Sequence, residues 1–159
     1  MKCYILSGMD EKNDYNFFKE IGILLKKELS HFNNIVYISA YPNNIEKNLR
    51  LAKSEFFSKI GINFKNSIVL DYSYKKENAK EILENNELIF LYGGDPYQQI
   101  KFMREYELID LLKNKVLITL SAGSINLSKD AICTKDEDFE STTQYKRNGI
   151  YWFYYRTTF

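Results

Sequence analysis

The sequence is poor in the residues that build disulfide frameworks, flexible linkers and membrane spans. Its two cysteines, Cys3 and Cys133, are too few for a disulfide scaffold, so free thiols in a reducing cytoplasm are expected. Two prolines and seven glycines in 159 residues argue against long linkers or low-complexity tails. No apolar run approaches the roughly 20 residues needed to cross a bilayer. The start, MKCYILSGMD, has neither a long apolar core nor a small-residue cleavage site, so no signal peptide is read there. A cytoplasmic protein without a membrane partner is the expectation. Charge of one sign is also lacking: 22 Lys and Arg against 21 Asp and Glu leave a net +1, without the basic excess of a nucleic-acid binder. Neither G-x-x-x-x-G-K-[ST] nor G-x-G-x-x-G occurs, which makes nucleotide phosphate a poor candidate ligand. No metal and no cofactor are expected. Histidine is scarcest of the catalytic residue types, with His31 alone, in LSHFNN.

What is present suits one globular domain. Hydrophobic residues make up 45% and charged residues 27%, and a chain of this size buries about two-thirds of its unfolded surface. Short apolar runs alternate with helical patterns, without internal repeat or domain boundary. KCYILS (2–7), IVYISAY (35–41), IVLDY (68–72), LIFLY (88–92) and KVLITL (115–120) read as strands. Between them, residues 14–29 place Phe17, Phe18, Ile21, Leu24, Leu25 and Leu29 on one helical face. A helix over about 44–60 is expected to bury Ile45, Leu49, Ala52, Phe56 and Ile60 and to stop at Gly61. Further helices are predicted from Lys76 to Asn86 and from GGDPYQQ to about Asn114. Strands apolar on both faces, alternating with helices, predict a three-layer α/β/α sandwich around a mainly parallel, doubly wound sheet. Chemistry is then expected at the carboxyl ends of the strands.

Two turns there carry it. The VLITL strand runs into Ser121-Ala122-Gly123-Ser124, where small neighbours permit a sharp strand-to-helix reversal that pushes the serine out, as in a nucleophile elbow. A serine that merely caps the helix explains the same letters about equally well. The second turn is Gly93-Gly94-Asp95, after the strand expected to lie beside Ser121. A backbone N–H near Gly94 and that of Ala122 could converge as an oxyanion hole. The plainer alternative has Asp95 as a cap and Pro96 opening a helix.

GGDPYQQI, then a helix, then LITLSAGSINL, resembles the peptidase E and cyanophycinase family of serine peptidases, which have the class I glutamine amidotransferase-like fold. The resemblance implies that Ser121 is the nucleophile, that Gly94 and Ala122 form the oxyanion hole, and that Asp95, Tyr97 and Gln98 line the substrate pocket. It implies a triad acid about fifteen residues after the serine, where Asp136 fits best, with Glu137 and Asp138 as neighbours. A small peptide is the implied substrate, and a homodimer is an allowed assembly. A cationic residue would suit relatives that cleave after aspartate; Lys101 and Arg104 are read as facing solvent. A catalytically impaired relative and a flavodoxin-like small-anion binder are the alternatives.

The family histidine, expected in P-H-[FY], does not occur, and His31 falls by chain order away from the carboxyl-end cluster. From Lys146 the chain reads KRNGIYWFYYRTTF and departs from the family pattern. One synonymous coding of Tyr145 to Phe159, with a single A dropped from an AAAAGG run, reads YKGMGFIGFIIEPHF instead. A frameshift after about Lys146, with the histidine lost at the codons of Thr157 and Thr158, is therefore expected, leaving the 146–159 tail atypical and the domain incomplete.

Overall fold

The structure, a computed structural model, describes residues 2–6, 14–52, 57–128, 130–133, 143–146 and 155–156, with side chains described for 2–6, 21–50 and 57–128. Five strands form one sheet: β1 (Lys2–Leu6), β2 (Asn34–Ile38), β3 (Asn66–Leu70), β4 (Leu88–Leu91) and β5 (Val116–Leu120). All neighbours are parallel, in the order β1-β5-β4-β2-β3. Period-2 alternation with both faces covered explains why these strands read as continuous apolar runs. Tyr37, Phe90, Ile118 and Leu120 point to one face, where they meet Leu25 and Leu29 of α1 (Asp14–Leu29) and Phe57. Val36, Ile38, Ile89, Leu91 and Leu117 point to the other. There they meet Ala79 and Leu83 of α3 (Lys76–Glu84) and Ile100, Phe102 and Met103 of α4 (Pro96–Glu105). Each such fully buried side chain contributes roughly 1.5–3 kcal/mol.

The winding follows from this. Connections from β1 to β2 to β3 run along the first face, and those from β3 to β4 to β5 return along the second. Reversing direction and face together keeps every crossover right-handed. The predicted three-layer α/β/α architecture is therefore the observed one. A second sheet has the order β7-β6-β8, with β6 (Asp130–Cys133) antiparallel to β7 (Thr143–Lys146) and parallel to β8 (Tyr155–Arg156).

Three helical expectations need correction. The predicted 44–60 helix is described as α2 (Ile45–Ala52) and, after residues outside the described set, a 3₁₀ turn at Ser58–Ile60. Ile45 and Leu49 are 48% and 59% exposed, because α2 turns Asn48 inward, where it hydrogen-bonds with Ser39 and Asp71. Ala52 and Phe56 have no described side chains, whereas Ile60 packs against the core. In α1, Leu24 is half exposed while Leu25 and Leu29 are buried, so the buried stripe is narrower than predicted.

The helix after GGDPYQQ ends at Glu105, well before Asn114, and a 3₁₀ segment follows at Asp110–Asn114. Glu107, at φ 54°, stops it. Leu108 N–H donates to Met103 C=O (2.8 Å) and Glu107 N–H to Arg104 C=O (3.1 Å). That pair is the Schellman pattern, with glutamate where glycine is usual.

Candidate active site

Parallel strands place their carboxyl ends together, and the winding opens crevices there. The chain leaves β1 and β2 towards one face but β3, β4 and β5 towards the other, so it parts between β1 and β5, between β4 and β2, and at the edge between β2 and β3; the first two flank the strands that end at Ser121 and Gly93. Such switch points are where open α/β sheets take ligands.

Ser121 stands at the first crevice, joining β5 to α5 (Ala122–Asn126). Its backbone lies at φ 46°, ψ −108°, a region sparsely populated by residues with a side chain. Its N–H donates to Leu6 C=O (3.0 Å) and its C=O accepts from Ile125 N–H (2.9 Å), so both neighbouring elements hold the strained turn. Strain of this kind costs about 1–3 kcal/mol. The side chain makes no cap hydrogen bond, which removes the simple capping explanation for this serine. Gly123 lets the turn seat: a Cβ there would come within 2.1 Å of Leu91 C=O, so only glycine lets α5 rest on the end of β4. Ser124 is structural. Fully buried, it donates to Leu6 C=O (2.8 Å) and shares a hydrogen bond with Thr119 Oγ1 (2.9 Å).

Gly93-Gly94-Asp95 follows β4, whose Leu91 pairs with Thr119, so this turn runs beside the Ser121 turn. Gly94 sits at φ 139° with the Tyr41 ring against it, where a Cβ would lie 2.4 Å from the ring. Asp95 caps α4: Oδ1 accepts from Tyr97 N–H (2.9 Å) and Gln98 N–H (3.0 Å), and Oδ2 from Gln98 Nε2 (2.7 Å), with Pro96 opening the helix. Behind the turn lies a pair that sequence reasoning missed. Gln99, fully buried, donates through Nε2 to Ile38 C=O and Tyr92 C=O (both 3.0 Å), and its Oε1 accepts from Asn126 Nδ2 (2.9 Å). Asn126 Nδ2 also donates to Pro96 C=O (3.0 Å). Asn126 Oδ1 has no partner among the described residues, at a cost of about 1–3 kcal/mol.

The second crevice holds a cavity of about 230 Å³, lined by Ser39, Ala40, Tyr41, Lys47, Asn48, Arg50 and Tyr92. Its floor is a buried network: Asn48 donates to Asp71 Oδ2 (2.9 Å) and Tyr41 C=O (3.2 Å) and accepts from Ser39 Oγ (2.6 Å). Asp71 is completed by Ser73 N–H (2.9 Å) and Ser73 Oγ (2.5 Å). Lys47 Nζ lies 3.5 Å over the centre of the Tyr41 ring, and burial pushes the Tyr92 phenol above its ordinary range, keeping it a neutral hydroxyl. Lys47 and Arg50 bring positive charge to a mouth whose Tyr41 wall is shared with Gly94.

The structure thus brings Ser121, Ala122, Gly94 and Asp95 to one end of the sheet. Asp95 and Gln98 are occupied by the cap, and Tyr97 is 60% exposed. Lys101 and Arg104 are exposed, and Lys101 pairs with Glu105. His31 precedes β2, at the amino end of the sheet, a strand length of roughly 16 Å from the carboxyl ends; it is exposed and stacked on Phe32. Asp136, Glu137 and Asp138 lie outside the described residues, as does the tail apart from its short strands. No group of three or more His, Cys, Asp or Glu that could hold a metal occurs among the described residues. No described helix is long and apolar enough to cross a membrane.

This architecture is a three-layer α/β fold of the peptidase E-like kind. It is similar to the crystal structure of a peptidase from an acI-B1 Actinobacterium, with a TM-score of 0.56 and 16% identity over 93% of this chain and 64% of that one. It is also similar to a peptidase E candidate from Listeria monocytogenes EGD-e, with a TM-score of 0.53 and 17% identity over 82% of this chain and 63% of that one. At these identities the likeness is one of fold, and this chain spans a little under two thirds of each neighbour's length. No protein-family model matches the chain, and no curated protein does.

Proposed function

We propose that the protein is a serine hydrolase of short peptides, with Ser121 as its nucleophile. The observation that carries this reading is a non-glycine residue held at φ 46°, ψ −108° on a strand-to-helix turn without a capping bond. Such strain persists only where the surroundings impose it, and a nucleophile elbow is a strand-to-helix turn of this kind; Ser121 is half-buried there. In the proposed reaction Ser121 Oγ attacks the peptide carbonyl and gives its proton to a base. The N–H groups of Gly94 and Ala122 receive the developing oxyanion, each worth about 3 kcal/mol. The C–N bond breaks, the amine leaves with the proton, and water hydrolyses the acyl-enzyme.

A substrate reaching from Ser121 across the Gly93-Gly94 turn would enter the second crevice, about one to two strand spacings (~7 Å) away. Lys47 and Arg50 there favour an acidic substituent, supplying the positive charge that the helix after GGDPYQQ does not. In this reading residues 1–159 belong to one hydrolytic domain in which Asp136 orients the base, and the base is the family histidine that the shifted frame after Lys146 restores and that residues 146–159 as they stand do not contain. Sequencing the gene across Lys146 and Arg147 decides that last point: codons that forbid the one-base shift overturn it.

Treatment with a fluorophosphonate probe tests the nucleophile. One adduct on the wild-type chain, absent from Ser121→Ala, is the expected result; equal labelling of both proteins overturns the assignment. A second reading, a ligand-binding relative without turnover, is favoured by His31 standing at the opposite end of the sheet. Labelling without hydrolysis of aspartyl dipeptides would select it.

A further inference from the structure

Gln99 and Asn126 are costly residues to bury, and apolar side chains of similar size would fill the same space between α4 and α5. Their bonds converge on one place. Gln99 Nε2 holds Tyr92 C=O, the carbonyl immediately before Gly93, together with Ile38 C=O at the end of β2. Through Oε1 it holds Asn126, which in turn holds Pro96 C=O at the first turn of α4. The Gly93-Gly94-Asp95 segment is therefore fastened at both its ends, and both fastenings lead to the helix that begins at Ser121. Gly94, at φ 139°, has no conformational preference of its own to hold that turn. Asn126 Oδ1 is buried without a partner among the described residues, so the side chain is placed by the two bonds its Nδ2 donates.

We propose that Gln99 and Asn126 are positioning residues that set the Gly93-Gly94 turn against the Ser121 turn, so that the N–H groups of Gly94 and Ala122 face one point. The inference rests on the hydrolase reading for its consequence but on these hydrogen bonds for its geometry. Small displacements of such donors cost rate without changing what binds, because stabilisation is realised only when the oxyanion forms.

The test uses the full chain, with fluorophosphonate labelling resolved into the reversible binding constant and the maximal labelling rate. Amide hydrogen exchange is measured at residues 93, 94 and 122. Gln99→Met, which keeps length and removes every hydrogen bond, should lower the maximal rate about 10- to 100-fold. The binding constant should stay within about twofold, and exchange should accelerate at those three amides. Asn126→Ala, which leaves Gln99 Nε2 bonded, should give the smaller effect of the same kind and stands in if Gln99→Met does not fold. Rates unchanged in both variants, or binding and rate falling together, overturn the proposal. If the wild-type chain is not labelled, the hydrolase reading fails separately. Exchange then decides the geometric claim: acceleration confined to the two turns supports it, and unchanged exchange there overturns it.

Discussion

Two residues other than glycine have positive φ among those described, Glu107 and Ser121, and their surroundings are opposite. Glu107 ends α4 and is compensated at every point. The Schellman bonds use its backbone, Leu108 is buried beside it, and its carboxylate pairs with Lys76 and Lys80. Hydrogen bonds from those lysines hold its pKa down to about 2. Ser121 is imposed upon instead. Leu6 and Ile125 bind its backbone, Gly123 seats the next residues on β4, and its hydroxyl makes no capping bond. Strain that buys the fold a helix stop needs no further explanation. Strain around a side chain that makes no capping bond is what the proposed nucleophile role of Ser121 accounts for.

The comparison breaks most completely at Gly123. Gly123→Ala puts a methyl group 2.1 Å from Leu91 C=O, so urea titration should show a loss of about 3 kcal/mol or more, or no folded protein. Gly93→Ala is its control: the nearest atoms would be at 3.4 Å, ordinary contact, and the loss should stay below about 1 kcal/mol. A preserved midpoint for Gly123→Ala would mean that α5 does not rest on β4.

Asp95→Ala removes the cap that Ser121 does not provide for its own helix. The midpoint should fall by about 1 kcal/mol, as for other cap deletions. Ser121→Gly should move the other way, gaining up to about 1 kcal/mol as the strain is relieved while probe labelling disappears. A destabilised Ser121→Gly would place Ser121 with Glu107, as a residue kept for the fold.

The smallest effect concerns Glu107 itself. Because its folded pKa of about 2 lies below the ordinary 4.5, its stabilisation is complete above pH 4.5 and is lost as pH falls towards 2. Glu107→Gln should therefore lower Tm slightly at neutral pH, with the difference from wild type vanishing through that acid range. A difference independent of pH would show that the carboxylate's charge is irrelevant.

Much of the fold was legible because both-face burial writes itself into a strand. LIFL and VLITL could be little else, and their alternation with helices implied parallel pairing. Helix faces were less legible. Ile45 and Leu49 look like core, but the helix is oriented by Asn48 bonding to Ser39 and Asp71, partners 9 and 23 residues away. At the candidate site, Ser121, Gly94 and Asp95 were marked by their turn chemistry. Gln98 and Gln99 were not distinguishable as letters; the turn of α4 gives one to the cap and buries the other.

By itself the sequence determined a parallel α/β chain with a serine and a double glycine at successive strand ends, because local periodicity and turn residues act over a few positions. The pairing of β4 with β5, which sets the two turns side by side, was expected from the order of the elements; tertiary structure alone decided that β1 closes the other side of β5 and that β2 flanks β4. It alone decided that Lys47 and Arg50 face the second crevice and that Gln99 joins four elements. Those facts depend on hydrogen bonds and close contacts between segments distant in the chain, and no short window of sequence records them.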